Sequence, residues 1–334
     1  MRHAKFLRLY IFLLVVSNAA LLLPNGAWLR VLGAMLLLCV LPGWLWSQRF
    51  FSAQAVWARG VIATGLSYTV ALAITLLLHY IPGPISVWYF LVVLNTAALL
   101  PLLIPHRPQS SAINHQSRIS LALLLLLAIA IGLRAINLHY SEFQGDEALA
   151  MISAAEALEG HEDALFLRSK GPAEVLLPML LWRLTGTITE AVARLPFALA
   201  SLLAVITIYL IGNRTHSHRL GLLAAGIFAF NGFMVAFGRI VQYQALVVWF
   251  SALAFLLAQE WRLTKERRAL LVSGLFLGSG LLAHYDAILV LPAVGWLLIN
   301  SFQSDSGRFN AIRGIASAVF LFGVTLLFIA LPFY

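Results

Sequence analysis

Asp146 and Glu147 stand side by side in a chain of which only 10% of residues are charged. A carboxylate held near a hydroxyl can take its proton as a general base. Neighbours on a helix diverge by about 100°, so these two cannot share one proton as a dyad would. One acts and the other positions it or pairs with a cation, and Asp146 is the favoured actor. Acids opening a helix also cap its N–H groups and complement its dipole, a role compatible with catalysis. Lys170 follows in Ser169-Lys170-Gly171-Pro172. Gly-Pro fixes a turn from which an ammonium reaches an anionic headgroup, or simply snorkels to an interface. Arg134 and Arg239 end apolar runs, where a guanidinium pairs with something or anchors the span. His284-Tyr285-Asp286 sits at a turn between two short apolar runs, either a polar site or an ordinary hydrated turn. Gln242, Tyr243 and Gln244 follow Arg239 and could line a sugar pocket or cap a helix. The histidines show no metal-ligand spacing, so no metal site is assigned.

The elements that must hold these residues are membrane helices. Hydrophobic residues make up 61% of the 334, against about 45–50% in a soluble domain. Runs of about 20 apolar residues suffice to cross the hydrocarbon. Eleven spans are predicted, at about 6–23, 27–47, 57–79, 86–105, 119–138, 193–212, 220–237, 244–260, 268–283, 286–300 and 312–332. The fold class is therefore an all-α polytopic membrane protein. The first run resembles a signal peptide, yet no small-residue cleavage site follows, and it reads as an uncleaved helix. The polar stretch 106–118 divides an N-terminal four-helix block, 1–118, from a second module, 119–334.

Residues 139–194 form the one long segment not dominated by apolar sequence. Within it, 145–159 reads as a helix with an apolar stripe of Ala148, Met151, Ile152, Ala155 and Leu158, stopped by Gly160. The run 176–184 is short, carries Arg183 and follows a Pro, and is expected to lie along the outer face rather than cross.

Charge sets the orientation. With the N-terminus cytoplasmic, the inner segments hold Arg2, Lys5, Arg8, Arg49, Arg59, Arg107, Arg118, Arg214, Arg219, Arg262, Lys265, Arg267, Arg268, Arg308 and Arg313, which is 15 of the 22 basic residues. Ten of the 13 acids then fall outside. Positive charge biases loops toward the cytoplasm, so 139–194 faces the extracytoplasmic side of a cell membrane. The same logic accounts for the net charge of +9, and no basic stripe with interleaved aromatics points to nucleic acid. A lone Cys39 excludes an internal disulfide.

One ordered pattern links these residues. Arg134 ends a span, Gly145-Asp146-Glu147 opens an amphipathic helix, and Lys170-Gly171-Pro172 makes a turn. Ala193-Arg194-Leu195-Pro196 then leads into a span, and Arg239 ends a later one. Over roughly 119–300 this resembles the lipid-carrier-dependent glycosyltransferases of superfamily C, in particular the protein O-mannosyltransferase and aminoarabinose-transferase branch. The resemblance implies a polyprenyl-phosphate sugar as donor, a hydroxyl on protein, lipid or glycan as acceptor, and inversion at the anomeric carbon. It implies Asp146 and Glu147 as the catalytic pair and Lys170, Arg239 and Arg134 as donor-phosphate ligands. Tyr243, Gln244, His284, Tyr285 and Asp286 would bind substrate. No cofactor is implied, since the lipid-linked sugar is a substrate, and a divalent metal stays open. The four N-terminal spans are additional to the minimal module, and Gln244 stands where many relatives carry a second acid. The chain ends at LPFY, which reads as a truncated or minimal member.

Two other classes compete with this expectation: a transporter or flippase of a lipid-linked or anionic substrate, and an inactive scaffold of the same fold. Transporters place ionisable groups near the bilayer midplane. Here the charges collect at the span ends, which favours chemistry at a surface.

Overall fold

The computed structural model describes residues 2–24, 26–104, 120–166, 170–302, 312, 315–319, 322 and 331–334. Every regular element among them is helical. The first block comprises α1 (Arg2–Leu21), α2 (Ala27–Cys39), α3 (Leu41–Phe50), α4 (Val56–His79) and α5 (Val87–Leu99). The second comprises α6 (Leu121–Ala135), α7 (Asp146–Glu159), α8 (Ala173–Thr185), α9 (Glu190–Thr215), α10 (His218–Phe230), α11 (Gly232–Phe237), α12 (Gln244–Thr264), α13 (Arg267–Ala283) and α14 (Leu291–Phe302).

Ten of the expected spans correspond to these helices, with two subdivided. The second breaks at Val40 into α2 and α3, where Pro42 in the first turn of α3 brings no N–H to continue the ladder. The seventh breaks at Asn231, whose side chain caps α11 by accepting from the Met234 N–H. Four stretches are long and apolar enough to cross a membrane by themselves: Ala27–Phe50, Val56–His79, Glu190–Thr215 and Gln244–Thr264. Shorter apolar helices, among them Phe6–Leu21 and Leu121–Ala135, accompany them, so helix length alone does not carry a count of eleven. Most of the eleventh expected span and the divider 106–118 lie outside the described residues.

The two blocks share one apolar core. α4 is buried along most of its length, and its Tyr68 hydroxyl donates to the Pro196 carbonyl of α9 at 2.8 Å. Thr69 meets Ser279 of α13 at 2.8 Å. Without water to exclude between lipid-embedded helices, such interhelical hydrogen bonds and close packing hold the bundle together.

The helix α8 departs from expectation. It joins the two ends of a path across one end of the bundle: its start adjoins the end of α13 at Gly171, and its end meets Arg30 of α2 at Gly186. That route runs from the C-terminal end of α13 to the first turn of α2. A helix lying on the membrane surface would keep one face exposed, however, and twelve of the 13 residues of α8 are buried, Arg183 being the exception. The cause is α7, which packs over it while α2, α4 and α9 close the other sides.

Candidate active site

The site begins at Gly145, whose φ of +54° and ψ of −130° suit glycine alone and turn the chain sharply into α7. The turn sends the two adjacent carboxylates to different places. Glu147 points inward and is 3% exposed. Its oxygens take a bidentate ion pair from Arg194 of α9, at 2.8 and 2.7 Å, and the Val241 N–H at 2.8 Å. Arg194 spends its remaining donors on the carbonyls of Leu138, Ser141 and Glu142, with Tyr140 and Phe143 against its plane. Glu147 and Arg194 thereby knot the start of α7, the 138–142 segment, α9 and the loop before α12 at one point.

Asp146 points the other way, toward solvent, with its side chain 56% exposed. Its Oδ2 lies 2.9 Å from the Lys170 ammonium. That ammonium sits 5.6 Å above the Tyr243 ring, and the His284 ring stacks on Tyr243 at 3.8 Å with only 8° between planes. Nδ1 of His284 is 3.1 Å from Asp286 Oδ2. Tyr285 leans on His284 and meets Tyr334 edge-on. Two chain segments far apart in sequence are held this close because Gly171 lies on the backbone at the end of α13. A Cβ there would fall 2.3 Å from the Leu282 carbonyl oxygen.

Electrostatics follow from this crowding. Burial pushes the Tyr243 hydroxyl above its ordinary range, reinforced by the carboxylates of Asp286, Glu174 and Asp146 and by Tyr285. Burial lowers the His284 pKa, and the Lys170 charge lowers it further, against an opposing pull from Asp286. Among the described residues, no three His, Cys, Asp or Glu side chains converge as a metal site requires.

Asp146, Lys170, Tyr243, His284, Tyr285 and Asp286, drawn from four separate stretches of sequence, thus form one cluster. Ser169 lies outside the described residues. The remaining candidates have other surroundings. Arg134 is fully buried and donates to Ser201 at 2.8 Å and to the Ala229 and Phe228 carbonyls, closing the end of α10. The structure gives it a helix-capping position. Arg239 does the same for α6, donating to the Leu133 and Asn137 carbonyls with Tyr140 against its guanidinium. The Gln244 Oε1 is buried without a hydrogen-bond partner. Two members went unnoticed in the sequence. Glu174, fully buried in the first turn of α8, was signalled by its place four residues after Lys170. Tyr334, whose hydroxyl donates to the Leu281 carbonyl, carried no local signal.

Away from this cluster, α13 from Leu270 to Leu277, α14, Ile315, Ala318, Val319 and Phe322 line an apolar cavity of about 190 Å³. An acid and an ammonium thus meet at one end of an apolar helical bundle. Residues 169–329 match the model of the dolichyl-phosphate-mannose-protein mannosyltransferase family. The match is a similarity over those residues and supports the resemblance drawn from the sequence. It takes in Lys170, Tyr243 and His284–Asp286, while Asp146 and Glu147 precede it. Comparison with curated proteins and with solved structures gave no match.

Proposed function

We propose that the protein transfers a monosaccharide from a polyprenyl-phosphate carrier to an acceptor hydroxyl at the extracytoplasmic face. The observation that carries this reading is the 2.9 Å pairing of Asp146 with Lys170 at one end of a bundle whose family match concerns a phospholipid-linked sugar.

In this reading Asp146 takes the proton as the acceptor oxygen attacks the anomeric carbon. The bond from that carbon to the phosphate oxygen breaks, and its electron pair leaves on the phosphate. The departing group is a stable anion, so it needs a cation rather than a proton, and Lys170 supplies one. A single displacement inverts the anomeric centre. Glu147, committed to Arg194, holds Asp146 in place. Tyr285 and Tyr334, both partly exposed, are placed to contact a sugar. Ionisable groups gathered at the bundle end favour this chemistry over translocation through the midplane.

The test is transfer by the purified full chain in nanodiscs, beginning with polyprenyl-phosphate mannose and hydroxyl-bearing peptides, lipids and glycans as acceptors. Asp146→Asn is expected to insert normally and lose transfer by at least about a hundredfold. Turnover at the wild-type rate in that variant removes Asp146 from the mechanism.

A further inference from the structure

His284 presents one ring nitrogen to two partners that ask opposite things of it. Its Nδ1 lies 3.2 Å from the Asp286 backbone nitrogen, whose N–H needs a lone pair there. The same Nδ1 lies 3.1 Å from Asp286 Oδ2, an acceptor that needs a proton there. While Nδ1 accepts from the N–H, the ring proton sits on Nε2. A proton arriving at Nδ1 then makes an imidazolium, and Oδ2 is already in place to take its hydrogen bond. The Asp286 side chain is 41% exposed and that of His284 5%, so solvent meets the pair at the carboxylate. The groups around the ring come from three stretches: Asp286 and Tyr285 from its own turn, Lys170 from the connection into α8, and Tyr243 from the loop before α12. Asp146 and Glu174 lie beyond, close enough to act on Tyr243. Burial and the Lys170 charge oppose a proton on His284, and Asp286 favours it.

Building on the glycosyl-transfer reading, we propose that His284 and Asp286 supply the donor phosphate with a second positive charge, taken up from solvent as the phosphate binds. An anion beside Lys170 offsets the charge that opposes a proton on His284 and adds an attraction of its own. The proton settles on Nδ1, hydrogen-bonded to Asp286 Oδ2, and the imidazolium stays stacked on Tyr243. The second charge matters most as the bond from the anomeric carbon to the phosphate oxygen breaks, because the phosphate then gains a second negative charge. When the carrier leaves, the proton returns to solvent and Nδ1 again accepts from the Asp286 N–H.

The probe is a short prenyl methyl phosphodiester, whose single charge is constant from about pH 5 to 8.5, around the ordinary range of histidine. It is titrated into the full chain in nanodiscs of zwitterionic lipid, and calorimetry in buffers of different ionisation heat counts the protons taken up. A group that gains affinity for protons on binding makes the ligand bind more tightly at low pH. The Kd is therefore expected to fall by about three- to tenfold from the alkaline to the acid end of that range, with net proton uptake between. His284→Gln is expected to abolish the uptake and flatten the pH dependence, and Asp286→Asn to reduce both. Wild-type binding without proton uptake, uptake that survives His284→Gln, or no binding of the phosphodiester overturns the inference. Transfer is read separately. Transfer without proton uptake sinks the second charge and spares the glycosyl-transfer reading, whereas proton-coupled binding without transfer to any acceptor sinks that reading and leaves the phosphate site.

Discussion

Lys170 makes the simplest statement at the scale of single residues. Its ammonium is placed by a turn and a ring rather than by a network of hydrogen bonds, so replacing it should remove charge and little else. Lys170→Met is expected to lower kcat by about 10²–10³, the usual loss for one electrostatic contact to developing charge. Lys170→Arg should keep a measurable part of the rate. Steady-state transfer by the two variants checks both outcomes, and equal loss in both would mean that shape matters more than charge. Asp146 and Lys170 were legible without coordinates because an acid or an ammonium stands out in a chain this apolar. Arg134 and Arg239 stood out equally, yet their partners are backbone carbonyls and, for Arg134, the Ser201 hydroxyl. Residue type reveals that a buried guanidinium needs acceptors; it does not reveal that two helix ends supply them.

Elements explain why the cluster holds its shape. The Glu147–Arg194 pair is buried on both sides and joins four segments, so losing one partner strands a charge in the interior. Arg194→Met is expected to destabilise the protein by about 3–5 kcal/mol, whereas Arg194→Met with Glu147→Leu should recover much of that. Thermal unfolding in detergent ranks the variants, and a double variant no better than the single one would refute the account. The knot also accounts for a face of α7 that the sequence pattern misplaced. The expected stripe included Ile152, which is 55% exposed, while Glu147, Ala150, Met151, Ala154 and Ala157 are buried. Hydrophobic periodicity presumes that large apolar side chains turn inward. Here an anchored acid fixes the rotation, and alanines let α7 approach α8 closely, as small residues do between membrane helices.

Over the whole molecule, the two ends of the bundle differ in character. One carries Asp146, Lys170 and His284; the other carries Arg214 paired with Glu260 at 3.2 Å, together with Arg219, Arg262, Arg267 and Arg268. Cys39 is fully buried, so an engineered cysteine can be read against a quiet background. On intact cells, a membrane-impermeant maleimide is expected to label Asp163→Cys and to reach Arg219→Cys only after the membrane is opened. The opposite pattern would place the cluster in the cytosol and end the proposed donor chemistry. Apolar runs revealed the helices because the bilayer imposes their length and composition. The seat of α8 was hidden, because burial on all sides is a property of neighbours. Those neighbours have a consequence for biogenesis. α8 rests between α2 and α4, made before it, and α9, made after it. Its niche does not exist until the ribosome has delivered α9, so the segment around Lys170 must wait beside the growing bundle and be enclosed only as the later helices arrive.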